Sequence, residues 1–328
     1  MKKIVIICLL LFLLIIIGCT GQNERVETDQ DYRVGTEGIE FEAIGLIDEL
    51  FEDTFFNINV EAQNKGAYDI EEGYALLTLE KDYMCLASYD TGECLSSEEN
   101  KKEVKLNGKS IVNPQGELTL IEYPIKTYFR EKQSEEREVS LLLTMCYEYE
   151  TELITDICID PQAFSQSPIT KPCEPKTETF SGQGAPIVIT EVETKMLPHT
   201  KDKIIPQFTI TFEDRGNGQA IKEESVSKAC SGESIGREEW NQLTLTRIEF
   251  MNGEFFFDIE SPDRSTIECF PFPFKLKDER DTVRCTVKNQ YAIPAEMPAF
   301  TTPLYVRVDY GYTQTKSEKI TVRQKITH

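Results

Sequence analysis

Beginning at Phe56 the chain alternates: Phe56, Ile58, Val60 and Ala62 are separated by Asn57, Asn59 and Glu61, and Asn64-Lys65-Gly66 ends the run. A period of two predicts a half-buried strand followed by a turn. The signature returns 150 positions later, where Phe208, Ile210 and Phe212 stand for Ile58, Val60 and Ala62, and Asp214-Arg215-Gly216 stands for the turn. At an offset of 163, Leu141, Leu143, Met145, Tyr147 and Tyr149 match Leu304, Val306, Val308, Tyr310 and Tyr312, while Ile157 and Ile159 match Ile320 and Val322. Each half is therefore expected to close with a similar pair of strands, and agreement at both ends of each half predicts an internal repeat.

Long patterns of period 3.6 are absent. The reading is all-β: about seven or eight short strands per half, with Gly, Asn and Pro turns, in two tandem antiparallel β-sandwiches. Sandwich 1 is drawn over residues 40–160 and sandwich 2 over 185–328, joined by a Pro-rich connector, 161–184, containing SQSPITKPCEPK. The clearest hairpin runs from Leu243 to Ile259 and turns at Asn252-Gly253, a dipeptide suited to a type I′ turn. One short helix is expected near Lys222 to Ala229.

The N-terminus changes the picture. Met1-Lys2-Lys3 precedes an apolar run from Ile4 to Ile17, shorter than the roughly 20 residues of a spanning helix, so residues 1–18 read as a signal peptide. The ending Ile16-Ile17-Gly18-Cys19 resembles the lipobox of prokaryotic lipoproteins, which implies lipid attachment at Cys19; an uncleaved anchor helix is the other reading. Residues 19–39 are polar and acidic and are expected to form a flexible, lipid-anchored tether. Either anchor places the chain at the extracytoplasmic face of the cell membrane.

The string NINVEAQNKGAYDIEEGYALLTL resembles the Ig-like CARDB class of prokaryotic cell-surface domains. Across the chain, YRVGTEG, NKGAYDIEEG, GQGAPIVITEV and TTPLYVRVDYGY, in that order, resemble two-domain surface lipoproteins of archaea. These motifs mark turns and strand ends. The resemblance implies a fold and a surface location and transfers no active site.

Beyond Cys8 in the signal and Cys19, eight cysteines remain: Cys85, Cys94, Cys146, Cys158, Cys173, Cys230, Cys269 and Cys285. An even number suits an oxidised extracytoplasmic framework, and the spacings match no zinc finger or ribbon. Cys85 and Cys94 flank the loop LASYDTGE and are expected to pair. In the expected closing hairpin of sandwich 1, Cys146 and Cys158 share the face opposite the apolar set, which predicts a cross-strand bridge. Cys269 with Cys285 and Cys173 with Cys230 complete the scheme, although four cysteines allow three connectivities.

The chain holds 35 Lys and Arg against 57 Asp and Glu, a formal net charge of −22, which argues against a nucleic-acid partner. Catalytic chemistry has few candidates. Only His199 and His328 are present, His199 lies in an expected turn, and no G-x-S-x-G elbow accompanies it. Gly182 and Gly184 precede a strand, contrary to the order of a dinucleotide fingerprint. Acidic pairs such as Glu71-Glu72 and Glu223-Glu224 are read as solvated charge, with no D-x-D-x-D-G calcium loop, and no cofactor is expected. The sharpest interaction candidate is Phe270-Pro271-Phe272-Pro273-Phe274, whose three rings either contact a partner or fold back over the core. One parity of Phe255, Phe256 and Phe257 is expected to bury two rings and leave Phe256 outside.

The function these features predict is a non-enzymatic, membrane-anchored surface protein whose sandwiches mediate adhesion, scaffolding, or protein or glycan interaction. The alternative is an extracytoplasmic ligand-binding or enzyme-accessory lipoprotein with a pocket between the halves. A carboxylate hydrolase is a third reading and would need two acids about 5–10 Å apart in a concave site.

Overall fold

The computed structural model describes residues 28–95, 100–128, 135–165 and 170–325; the signal segment, Cys19 and residues 20–27 lie outside the described residues. The first half contributes β1 (Ile39–Ile44), β2 (Glu49–Phe51), β3 (Phe55–Asn64), β4 (Gly73–Leu79), β5 (Met84–Leu86), β6 (Lys101–Glu103), β7 (Leu118–Thr127) and β8 (Glu136–Ile159). The second contributes β9 (Thr177–Thr179), β10 (Ile187–Thr200), β11 (Lys203–Asp214), β12 (Gln219–Ile221), a one-turn helix α1 (Val226–Ala229), β13 (Gln242–Phe250), β14 (Phe255–Asp258), β15 (Ile267–Phe270), β16 (Phe274–Lys275), β17 (Arg280–Val287), β18 (Ile293–Pro294) and β19 (Phe300–Arg323). The all-β expectation is met, and the short helix lies where it was expected.

Strand order shows the repeat. One sheet of the first half runs β1-β3-β7-β5, and its counterpart in the second half runs β10-β11-β17-β15, with β9 added beside β10. Each faces part of a larger sheet ordered β14-β13-β19-β8-β4-β6. The facing sheets touch through side chains: Tyr123 on β7 donates its hydroxyl to Ala75 O on β4 at 3.0 Å, and Phe208 on β11 meets Phe250 on β13 at 5.2 Å between ring centroids. Ile58, Val60 and Ala62 and their counterparts Phe208, Ile210 and Phe212 are all buried, as the alternation predicts.

The long strands depart from expectation. Where the sequence suggests a closing pair in each half, β8 is one strand of 24 residues and β19 is another. They pair antiparallel along their whole length, from Glu136 opposite Arg323 to Ile159 opposite Phe300. At about 3.4 Å per residue the ladder is about 80 Å long. Leu141 to Tyr147 of β8 also pair with β4, whereas Leu153, Ile157 and Ile159 run on beside the second half's Phe300 to Val306. Reciprocally, Leu304 to Asp309 of β19 pair with β13, and Ile320 and Val322 reach into the first half, where Thr321–Arg323 pair in parallel with β2. Each half thus lends the end of its last strand to the other, and their buried side chains form one continuous cluster. The alternation never changes phase along β8, so no break was visible in it: odd positions from Val139 to Leu153, then Ile157 and Ile159, face inward.

That continuity corrects the disulfide scheme. Cys146 and Cys158 do share a face, but twelve residues apart on one strand they are separated by roughly 40 Å and cannot bond. Cys146 joins Cys230, the residue after α1, and Cys158 joins Cys173 in the connector, so Cys173 does not pair with Cys230. The pairs Cys85–Cys94 and Cys269–Cys285 are as expected; the latter two are direct partners in the β15–β17 register. Cys146–Cys230 ties the first half to the second and, with Leu76, Ile221 and Val226, forms a small second core on the outer face of the large sheet.

Residues 28–38, read as part of the flexible tether, are docked. Asp29–Tyr32 form a 3-10 turn, the Arg33 guanidinium pairs with Glu152 and lies 5.3 Å from the Tyr68 ring centroid, and Gly184 N donates to Gly35 O at 2.9 Å. Charge and backbone pairing hold this segment, so it carries no apolar period. The described parts of the connector, residues 161–165 and 170–184, are held as well, by Cys158–Cys173, by Lys171 on Asp160 at 2.6 Å and by β9 on the edge of β10.

Candidate functional site

The two repeated turns converge where the halves meet. Asn64 Oδ1 accepts from Gly66 N at 3.1 Å, and Asp214 Oδ1 accepts from Gly216 N at the same distance. These are Asx turns, in which a short polar side chain caps the backbone two residues on. Each is bound by the second tyrosine of a Tyr-x-Tyr pair: Tyr149 OH donates to Asn64 Oδ1 at 3.3 Å and Tyr312 OH to Asp214 Oδ1 at 2.9 Å. The first tyrosine of each pair accepts from a backbone N–H, Ile39 N to Tyr147 at 3.2 Å and Ile187 N to Tyr310 at 3.4 Å. The middle residue of each turn also donates its N–H to the strand before it, Lys65 to Gly38 O and Arg215 to Pro186 O, both at 2.9 Å. Thus the repeat detected as alternation is also a repeated polar lock. The tyrosines were legible only as apolar-face positions, because hydroxyl pairing leaves no period.

Both glycines are required by close approach. A methyl at Gly66 would overlap the Tyr149 hydroxyl, and one at Gly216 the Tyr312 hydroxyl. The locks differ in their second polar atom. Asn64 Nδ2 donates to Tyr68 O at 2.7 Å and Leu106 O at 3.2 Å, whereas Asp214 carries a second carboxyl oxygen in that place. Burial pushes Asp214 up to about 6 despite the Gly216 and Tyr312 donors.

Around the locks lies a cleft of about 610 Å³ lined by both halves. Its charged residues are Lys65, Lys109, Arg215 and Lys316 against Glu37 and Glu40. Tyr147 and Tyr312, cross-strand partners on β8 and β19, contribute to its wall.

The outer face of the large sheet carries an ionic row. Arg307 on β19 pairs with Glu150 and, at 2.8 Å, with Asp309, while Glu152 takes Arg33 and the Tyr305 hydroxyl. Burial pushes Glu150 up to about 7, with Arg307 opposing it, and pushes Glu223 beside α1 to about 7. Glu150 and Glu152 are thus engaged by neighbouring cations and a hydroxyl in an internal network. Among the described residues no group of three or more His, Cys, Asp and Glu has the arrangement of a metal site. His199 is exposed at the end of β10.

The Phe-Pro segment divides. Phe274 is 2% exposed in the core, Phe272 is 39% exposed with its ring 5.4 Å from Phe257, and Phe270 is 79% exposed. Phe255 and Phe257 are buried and Phe256 is half-buried, the parity anticipated. Beside the Cys85–Cys94 loop a wider groove of about 1020 Å³ is lined by Leu77, Leu79, Met84 and Leu95.

No protein-family model matches the chain, and no curated protein matches it. Among solved structures, the native conformation of alpha-2-macroglobulin from E. coli aligns with 87% of this chain and 17% of its own, at 8% identity and a TM-score of 0.16. Similarity that low carries no argument about fold or activity, so the functional reading rests on the sandwiches, the shared ladder and the cleft.

Proposed function

We propose that this chain is a non-enzymatic, membrane-anchored surface protein whose paired Ig-like sandwiches act as one rigid interaction module. The observation that carries the reading is the exchanged pair of 24-residue strands, which joins both halves into one sheet. A body of this kind presents its loops and sheet edges in a fixed relation, as adhesion or scaffolding requires. Four disulfides suit an oxidising compartment, and the exposed Phe270 offers one apolar contact point. The large acid excess favours solubility and repulsion from an anionic membrane surface. Crosslinking on intact cells tests the proposal: protein or glycan neighbours are expected, and recovery of bulk lipid alone overturns it.

The cleft lined by both halves favours a second reading, an extracytoplasmic ligand-binding or enzyme-accessory lipoprotein. Its volume is within the range of small-molecule pockets, about 300–1,000 Å³. Loss of small-molecule binding without loss of cell-surface neighbours would separate the two.

A further inference from the structure

We infer that the cleft between the halves binds a small polyanion, whose carboxylate, sulfate or phosphate groups are held by Lys65, Lys109, Arg215 and Lys316. This rests on the ligand-binding reading of the cleft and is independent of the scaffold reading. A chain with 57 acidic and 35 basic side chains gathers four cations and two carboxylates around one cavity. The concentration has a structural origin. Lys65 and Arg215 occupy the same position in the two repeated Asx turns, and the fusion of the halves brings both turns to one cleft.

Internal acids pair with Lys65 and Arg215 and leave Lys109 and Lys316 without a carboxylate partner among the described residues. Lys109 has no ion pair among the described residues. Lys316 donates to Phe41 O at 2.6 Å and lies over the Phe41 ring, a backbone and aromatic anchorage that leaves its charge uncompensated by a carboxylate within ion-pair distance among the described residues. Lys65 reaches Glu40 only at 3.9 Å. Arg215 is held by Glu213 at 3.2 Å and Ser181 O at 3.3 Å, which fixes the guanidinium at the cleft. Cations from both halves facing one concave space, with partly desolvating walls, attract an anion more strongly than the same charges spread over a flat surface. A single anionic group would engage one side; a ligand with two or more engages both.

Calorimetric titration of the full chain in nonionic detergent tests this, with pyrophosphate and digalacturonate as probes for the phosphate and acidic-glycan sources. The expected result is one-to-one binding of at least one probe with a Kd below about 1 mM at low salt, weakening as salt rises. Lys109→Glu and Lys316→Glu should each raise Kd by about tenfold or more, whereas Lys195→Glu, on β10 outside the cleft, should change it by less than about twofold. Selective binding of pyrophosphate names phosphate as the chemistry, and of digalacturonate an acidic glycan. Thermal melts verify that each variant folds, and Lys109→Glu leaves the Lys316 anchorage intact. Binding of neither probe at about 10 mM, equal weakening by Lys195→Glu, or unchanged binding in both cleft variants overturns the inference.

Discussion

Replacing Asn64 by Asp is nearly isosteric, and its cost can be worked from the lock it disturbs. Asn64 is fully buried; its Oδ1 takes two donors, and its Nδ2 gives two hydrogen bonds to Tyr68 O and Leu106 O. In Asn64→Asp an ionised carboxylate would set an oxygen against those two carbonyl oxygens, so the folded protein must hold the carboxyl protonated or carry an unpaired buried charge. Holding a group of ordinary pKa about 3.9 protonated at pH 7 costs about 4 kcal/mol, at about 1.4 kcal/mol per pH unit. The charged alternative costs about 3–5 kcal/mol, a similar amount. The folded pKa is raised above the unfolded value, so the penalty is small in acid and grows as pH rises: at pH 4.5 it should shrink to about 1 kcal/mol. Urea unfolding of wild type and variant at both pH values measures the difference. A penalty under about 1 kcal/mol at pH 7, or an equal penalty at both pH values, would refute the account of the lock.

Other consequences can be checked in parallel. Asp214, pushed up to about 6 from 3.8, retains a proton in the folded state that the unfolded chain releases, so its contribution is present below pH 3.8 and is lost as pH rises through about 6. Asp214→Asn cannot titrate, so its stability relative to wild type should rise by up to about 3 kcal/mol between pH 4 and 7 in the same urea assay. Removing Cys146–Cys230 as a paired Ser variant opens a link spanning 84 residues. The loss should reach up to about 4.5 kcal/mol in the chain-entropy model, with faster proteolysis near α1. Phe270→Ala should shift stability by less than about 0.5 kcal/mol, whereas Phe274→Ala should cost about 3–5 kcal/mol, read from denaturant midpoints.

The period-2 alternation made the strands legible, and the two offsets, 150 and 163, located a repeat that the matching sheet orders bear out. Alternation is blind to strand ends when the phase is preserved. Leu141 to Ile159 therefore read equally well as two strands or one, and the disulfide pairing built on two strands failed with it. The Asn-x-Gly and Asp-x-Gly turns were visible; their closure by Tyr149 and Tyr312 was not, since cross-strand hydroxyl bonds depend on which strands become neighbours. A pocket between the halves was the alternative expectation, but its lining residues were hidden for the same reason. Lys65, Lys109, Arg215 and Lys316 are scattered through an acidic sequence, and only the pairing of β8 with β19 gathers them.

The central claim is that the exchanged strands make the two halves one folding unit. Differential scanning calorimetry of the oxidised full chain tests it most directly. A single transition, with calorimetric and van 't Hoff enthalpies in a ratio of about one, is the predicted result. Two separable transitions, with a ratio of about two, would show halves that unfold independently and would contradict the account.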